Sequence, residues 1–117
     1  MKVTNVKMET YRWKRPKPIR NGRYVYPTAG LDIVKIETDS GIYGLGESGT
    51  ASREQALAGM VEHFAQFLVG QDPRRIEQIW QTLYRSQYFE GGTIVAAAVS
   101  AIDIALWDIL GKSLDTP

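Results

Sequence analysis

Thr93 to Pro117, TIVAAAVSAIDIALWDILGKSLDTP, is the stretch that decides the fold. It reads as one long helix, apolar almost all the way round. Val95, Val99, Ile102, Leu106 and Leu110 recur at helical spacing on one side, and Ala97, Ala98, Ala101, Ala105 and Ile109 fill much of the rest. Such a helix has to be covered on most of its sides. Its covering surface, and the chemistry with it, are expected in sequence beyond Pro117.

Working back from that helix, Gly91-Gly92 breaks the chain and Thr93 is placed to cap the helix. Asp72-Pro73 reads as the start of a preceding helix, with Asp as N-cap and Pro at the first helical position. Its apolar stripe is Ile76, Ile79, Trp80, Leu83 and Tyr84. Before it, Ser52 and Gln55 have capping-box spacing, followed by a stripe of Leu57, Met60, Val61, Phe64 and Phe67 or Leu68, with Gly70 as the stop.

The first half alternates with period two. Val3 to Trp13 reads as a strand, with Val6, Met8, Thr10 and Arg12 opposing Lys7, Glu9, Tyr11 and Trp13. Lys14 to Gly30 carries three prolines and Asn21-Gly22 and is predicted to be a loop, because proline lacks the amide donor that a strand needs. Leu31 to Thr38 is the second strand and Ile42 to Ser48 the third. Asp39-Ser40-Gly41 is too short for a crossover, so these two form an antiparallel hairpin. Gly44 and Gly46 share one face of the third strand, which lets a helix or another backbone approach closely. Strands first and helices after them make the chain α+β.

The 117 residues suffice for one domain with one core. Lys plus Arg is 14 and Asp plus Glu is 13, so net charge gives no global pull toward nucleic acid or anionic membrane. The absence of Cys removes disulfides, thiolate metal sites and thiol nucleophiles, and fits a reducing cytoplasm. The N-terminus alternates polar and apolar residues and has no signal-peptide core. The apolar run near Ile94 to Ile102 is interrupted by Ser100 and stopped by Asp103, short of the roughly 20 residues of a bilayer span.

Gly44-Leu45-Gly46-Glu47-Ser48-Gly49 matches G-x-G-x-x-G, but its context is wrong for a dinucleotide turn. A Rossmann unit needs a parallel strand after the helix, and here one helix leads into another. The loop from Lys14 to Gly30 gathers Lys14, Arg15, Lys17, Arg20 and Arg23, with Tyr24 and Tyr26. It reads either as a flap meeting an anionic ligand or as a solvated basic loop; nucleic-acid contact ranks below both, since the helices carry no basic stripe. His63 has no second metal ligand at helical spacing. Asp103 and Asp108 are five apart, on different helix faces, and are expected to bond a backbone amide or a basic partner rather than act as paired carboxylates.

Ala101-Ile102-Asp103-Ile104-Ala105-Leu106-Trp107-Asp108-Ile109-Leu110-Gly111-Lys112 resembles the signature near the end of the N-terminal domain in the enolase superfamily, in its mandelate racemase and muconate lactonizing enzyme group. Glu37 to Glu47, Gly70-Gln71-Asp72-Pro73 and Ile76 to Trp80 are similar to the same group, in the same order, so the resemblance covers essentially the whole chain.

The resemblance implies that residues 1–117 are an N-terminal capping domain, a three-stranded antiparallel meander followed by a three-helix bundle. A catalytic (β/α) barrel is then expected C-terminal to Pro117, carrying the Mg²⁺ ligands and the bases that remove the proton next to a substrate carboxylate. No catalytic or metal residue is expected in this segment. The cap's two substrate-contacting loops match Lys14 to Gly30 and Glu47 to Ser52 by position, giving Arg20, Tyr24, Tyr26, Glu47 and Ser48 as substrate-binding candidates. The first reading of the parent is a cytoplasmic, homo-oligomeric acid-sugar dehydratase with its own barrel as partner and no nucleic acid or membrane. A racemase or cycloisomerase of the same group is the alternative, and a stand-alone binding or assembly module is the alternative of another class.

Overall fold

The structure is a computed structural model describing residues 1–117. Strands β1 (Val3–Arg20), β2 (Val25–Thr38) and β3 (Tyr43–Ser48) precede helices α1 (Glu54–Leu68), α2 (Ile76–Arg85) and α3 (Gly92–Ser113). The sheet is an antiparallel meander in the order β1-β2-β3. The expected α+β architecture is therefore observed.

One face of the sheet builds the core. Val6 pairs with Ile36 and Met8 with Val34, and Ile36 and Val34 face Gly44 and Gly46 on β3. The two glycines have a steric reason. A Cβ at Gly44 would lie 1.9 Å from the Ala105 carbonyl oxygen, and one at Gly46 would lie 1.8 Å from that of Ala101. The backbone of α3 thus rests on that of β3, with alanines on the helix side and glycines on the strand side. The glycine spacing that imitates a nucleotide motif serves this contact.

The helical stripes face the core as their periodicity predicts, except that Tyr84, at the end of the α2 stripe, is exposed. Leu57, Val61, Phe64 and Leu68 of α1 join Ile76, Ile79 and Leu83 of α2 and Val95, Ala98, Val99, Ala101, Ile102, Ala105, Leu106 and Ile109 of α3 in one cluster with Val3, Val6, Val34 and Ile36. Each fully buried Leu, Ile or Phe contributes roughly 1.5–3 kcal/mol. An exposed ion pair such as Lys7–Glu9 adds little, because solvent screens it. The cluster, not surface charge, therefore holds the layers together. α3 is long and apolar enough to cross a membrane, contrary to the shorter run read from the sequence. It serves instead as the central core helix, although Ile104 and Trp107 remain 46% and 58% exposed, so the chain does not enclose it.

Asp108 and Lys112 fasten that helix to the edge strand. Asp108 Oδ2 accepts the Leu45 amide at 2.9 Å and the Lys112 ammonium at 2.6 Å, and Lys112 Nζ also donates to the Tyr43 carbonyl at 2.8 Å. Burial pushes the Asp108 carboxyl up, but these two donors outweigh it and hold the group below its ordinary value. Asp103 has no such partner. Burial, with Glu77 nearby, raises its carboxyl instead.

The predicted loop from Lys14 to Gly30 is a correction. Most of it is strand, and β1 and β2 run on past the sheet as a two-stranded ribbon whose turn lies at Asn21–Tyr24. Trp13 pairs with Ala29 and Lys14 with Thr28; pairing then breaks and resumes at Ile19–Tyr26. Pro16, Pro18 and Pro27 all fall inside that break, where no ladder donor is required, so they interrupt the ribbon without ending it. Asn21 Oδ1 accepts the amides of Arg23 and Tyr24 at 2.9 and 2.8 Å and closes the turn.

The helix starts also move. α1 begins at Glu54, with Arg53 at the N-cap and no side-chain cap, because Ser52 takes a left-handed conformation with φ at 66°. α2 begins at Ile76, since Asp72 spends its carboxylate on the Arg74 amide and guanidinium in a preceding turn. That guanidinium holds the Asp72 carboxyl well below the usual range. Gly91, not Thr93, occupies the N-cap of α3.

Candidate functional site

β3 stops pairing where Asp32 meets Ser48, and from there the chain leaves the sheet as the loop that leads into α1. The β1–β2 ribbon rises on the other side. A groove of about 320 Å³ lies between them, lined by Arg12, Arg15, Tyr26, Asp32, Glu47 and Ser48 with the loop around Gly49 to Glu54.

Of the predicted substrate-binding residues, Tyr26, Glu47 and Ser48 line this groove. Ser48 sits on the inward face of β3, buried, and its hydroxyl meets that of Thr50 at 3.0 Å. Glu47 is exposed and has no hydrogen-bond or ion-pair partner within the chain. Arg20 and Tyr24 lie at the far end of the ribbon, outside the groove. There the Tyr24 and Tyr26 rings stand 6.2 Å apart, and the Arg23 guanidinium lies 5.6 Å from the Tyr24 centroid. The cations of the ribbon therefore divide: Arg20 and Arg23 stand at the tip, and Arg15 faces the groove with its Nε donating to the Thr28 carbonyl at 3.0 Å.

Arg12, Arg15, Asp32 and Glu54 are groove residues that the candidate set did not include. Two of them carried a signal. Arg12 continues the inward alternation of Val6, Met8 and Thr10, and Asp32 is an acid in register with the buried Val34 and Ile36. Asp32 is 8% exposed and is satisfied by the Thr10 hydroxyl at 2.9 Å. Arg15 and Glu54 could not be placed without knowing that the ribbon is paired and that α1 begins at Glu54.

Three carboxylates, Asp32, Glu47 and Glu54, thus face two guanidinium groups, Arg12 and Arg15. Arg12 is paired to Glu54, and this pairing holds the Glu54 carboxyl below its ordinary value. What remains is one cation, acceptors on Asp32 and Glu47, and the hydroxyls of Ser48 and Tyr26. Such a set has the donors and acceptors to match the hydroxyl groups of a small polar molecule. It does not suit Mg²⁺, which is held by carboxylates free to coordinate: Asp32 and Glu54 are already engaged, and no group of three or more His, Asp or Glu side chains is placed to hold a metal ion. His63 lies on α1 against the Phe67 ring, at 5.7 Å between centroids.

Residues 3–117 match the profile of the mandelate racemase / muconate lactonizing enzyme N-terminal domain. Over 85 residues the chain is 50% identical to a D-galactonate dehydratase of Ralstonia nicotianae and 48% identical to one of Variovorax paradoxus, covering 73% of this chain and 22% of each relative. Among solved structures, a member of the enolase superfamily from Polaromonas sp. JS666 superposes with a TM-score of 0.87 at 29% identity, over 97% of this chain and 31% of that one. The 3,6-anhydro-D-galactonate cycloisomerase of Zobellia galactanivorans gives 0.79 at 33% identity, over 97% and 29%. The chain therefore spans less than a third of the length of each of these relatives.

Proposed function

Because the chain belongs to the mandelate racemase / muconate lactonizing enzyme family of the enolase superfamily, as its N-terminal domain, we propose that it is the substrate-specificity cap of an acid-sugar dehydratase. The whole enzyme is then a cytoplasmic, homo-oligomeric lyase whose (β/α) barrel supplies the Mg²⁺ and the bases. The substrate proposed is D-galactonate or a close relative, in keeping with the names of the curated relatives.

The observation that carries this reading is the groove beside Ser48. Its polar groups are those that recognise a hydroxylated chain: Glu47, which has no partner in the chain, and the remaining acceptor capacity of Asp32 accept from sugar hydroxyls, Ser48 and Tyr26 donate or accept, and Arg15 offsets negative charge. The excess of carboxylate over guanidinium favours a neutral, hydroxylated tail over a second carboxylate. Bound between the ribbon and the second loop, that tail would be oriented and shielded from water while the carboxylate end lies toward the barrel. Positioning of this kind acts through the entropy and desolvation of the reacting complex.

Incubating the full-length enzyme with Mg²⁺ and D-galactonate is expected to release a 2-keto-3-deoxy acid. The name of the cycloisomerase neighbour gives the second reading its support. Isomerisation or proton exchange without loss of water would decide for that reading, and inertness toward all acid sugars would sink both.

A further inference from the structure

One carboxylate bonds a residue on each wall of the groove. Arg12 on β1 stands opposite Gly30 on β2, and its guanidinium crosses over that glycine: a Cβ at Gly30 would lie 2.8 Å from Arg12 Nη1. The guanidinium so placed pairs with Glu54 Oε1 in the first turn of α1. The same oxygen accepts the amide of Ser52 at 3.1 Å. Ser52 has φ at 66°, a conformation that a non-glycine residue adopts at a cost and keeps only where its surroundings impose it.

The loop between β3 and α1 has few other anchors. The Ala51 amide bonds the Gly49 carbonyl at 3.2 Å within the loop, and the Ser48 and Thr50 hydroxyls tie it to the end of β3, but neither contact reaches the ribbon. The Arg12–Glu54 pair is therefore the bond that sets the loop's distance from the ribbon. We propose that Arg12 and Glu54 are positioning residues that fix the width of the substrate groove, with Gly30 leaving the space through which Arg12 reaches across. Neither needs to touch substrate. They act through the loop from Gly49 to Ser52, whose distance from Arg15 and Tyr26 on the ribbon they set.

The magnitudes distinguish this role from a structural one. A partly exposed ion pair adds little to global stability. Loss of the pair should therefore leave the melting temperature nearly unchanged and appear in substrate fit. This inference rests on the reading of the segment as a substrate cap, and its test separates the two.

In the full-length enzyme, Arg12→Ala and Glu54→Gln (which keeps an acceptor for the Ser52 amide) are each expected to raise KM for the acid sugar about fivefold, with kcat far less affected. Arg12→Lys should recover most of the loss. The double variant should be no worse than the worse single one, since both remove the same ion pair. Hydrogen exchange at amides 49–52 should follow the same pattern with no substrate present. Unchanged KM and unchanged exchange in the single variants, additive losses in the double one, or a melting temperature that falls in step with KM would overturn the proposal. A wild-type enzyme inert toward acid sugars would remove the functional reading alone, and the exchange pattern would then decide for or against the pair.

Discussion

The contact at Gly46 sets the tolerance of the whole core. A methyl group there would overlap the Ala101 carbonyl, a backbone atom that moves only if α3 moves. Gly46→Ala is therefore expected to destabilise the chain by about 3 kcal/mol, as forced overpacking does, read from urea unfolding. Gly49→Ala, where nothing lies within 4 Å of the added atom, is the control that should change little. The pair of glycines was legible in the sequence because alternate glycines in a strand have few other uses. Their partners were not, since nothing in the spacing of Ala101 and Ala105 says which strand they meet. Asp108 was half legible: a charged residue in an apolar helix needs a partner, and the structure supplies the Leu45 amide and Lys112. Asp103 fits the same expectation and finds none within the chain, which is why burial governs its carboxyl.

At the scale of elements, the hairpin ribbon is where reading from sequence failed. Three prolines and an Asn-Gly pair predict a loop if each proline is scored as a broken ladder bond. The structure places all three in one break of register, where the bonds would be absent anyway. Local composition cannot reveal this, because it depends on which residue of the opposite strand each proline meets. The helical stripes, in contrast, are set by local periodicity and were read correctly but for the exposed Tyr84, while the helix starts shifted by a few residues as capping groups found other uses. The ribbon is held at its tip by Asn21, so Asn21→Ala should cost about 1 kcal/mol there. Amide exchange over residues 19–26 is expected to accelerate while the global melt stays put, since the core does not reach the ribbon. A drop in melting temperature would show that the ribbon and the core unfold together. The same error in reading the ribbon misplaced part of the candidate site: Arg20, Tyr24 and Tyr26 looked equivalent in a loop, but in the paired ribbon Tyr26 lines the groove while Arg20 and Tyr24 stand beyond it.

As a whole, the molecule is thin and drawn out, 47 × 37 × 20 Å, with a radius of gyration of 15.6 Å against roughly 13 Å for a compact chain of this order of length. Two apolar surfaces remain open on it. One is the outer face of the sheet, with Tyr11, Trp13, Tyr43 and Leu45; the other is the side of α3 that shows Ile104 and Trp107. Contiguous apolar area of this kind drives association. The 117-residue chain is expected to self-associate, with a sedimentation coefficient that rises with concentration and falls back when Ile104→Ser and Trp107→Ser are combined. A concentration-independent monomer with a cooperative melt would refute this. Between these surfaces lies the seam of Gly44 and Gly46 on α3, which admits no interposed atom and so forbids β3 from rolling across the helix. Any rearrangement on ligand arrival must take its axis beyond Asp32, where three strands become two. The hairpin is thereby a lever, and the tightest backbone approach in the molecule has already chosen its fulcrum.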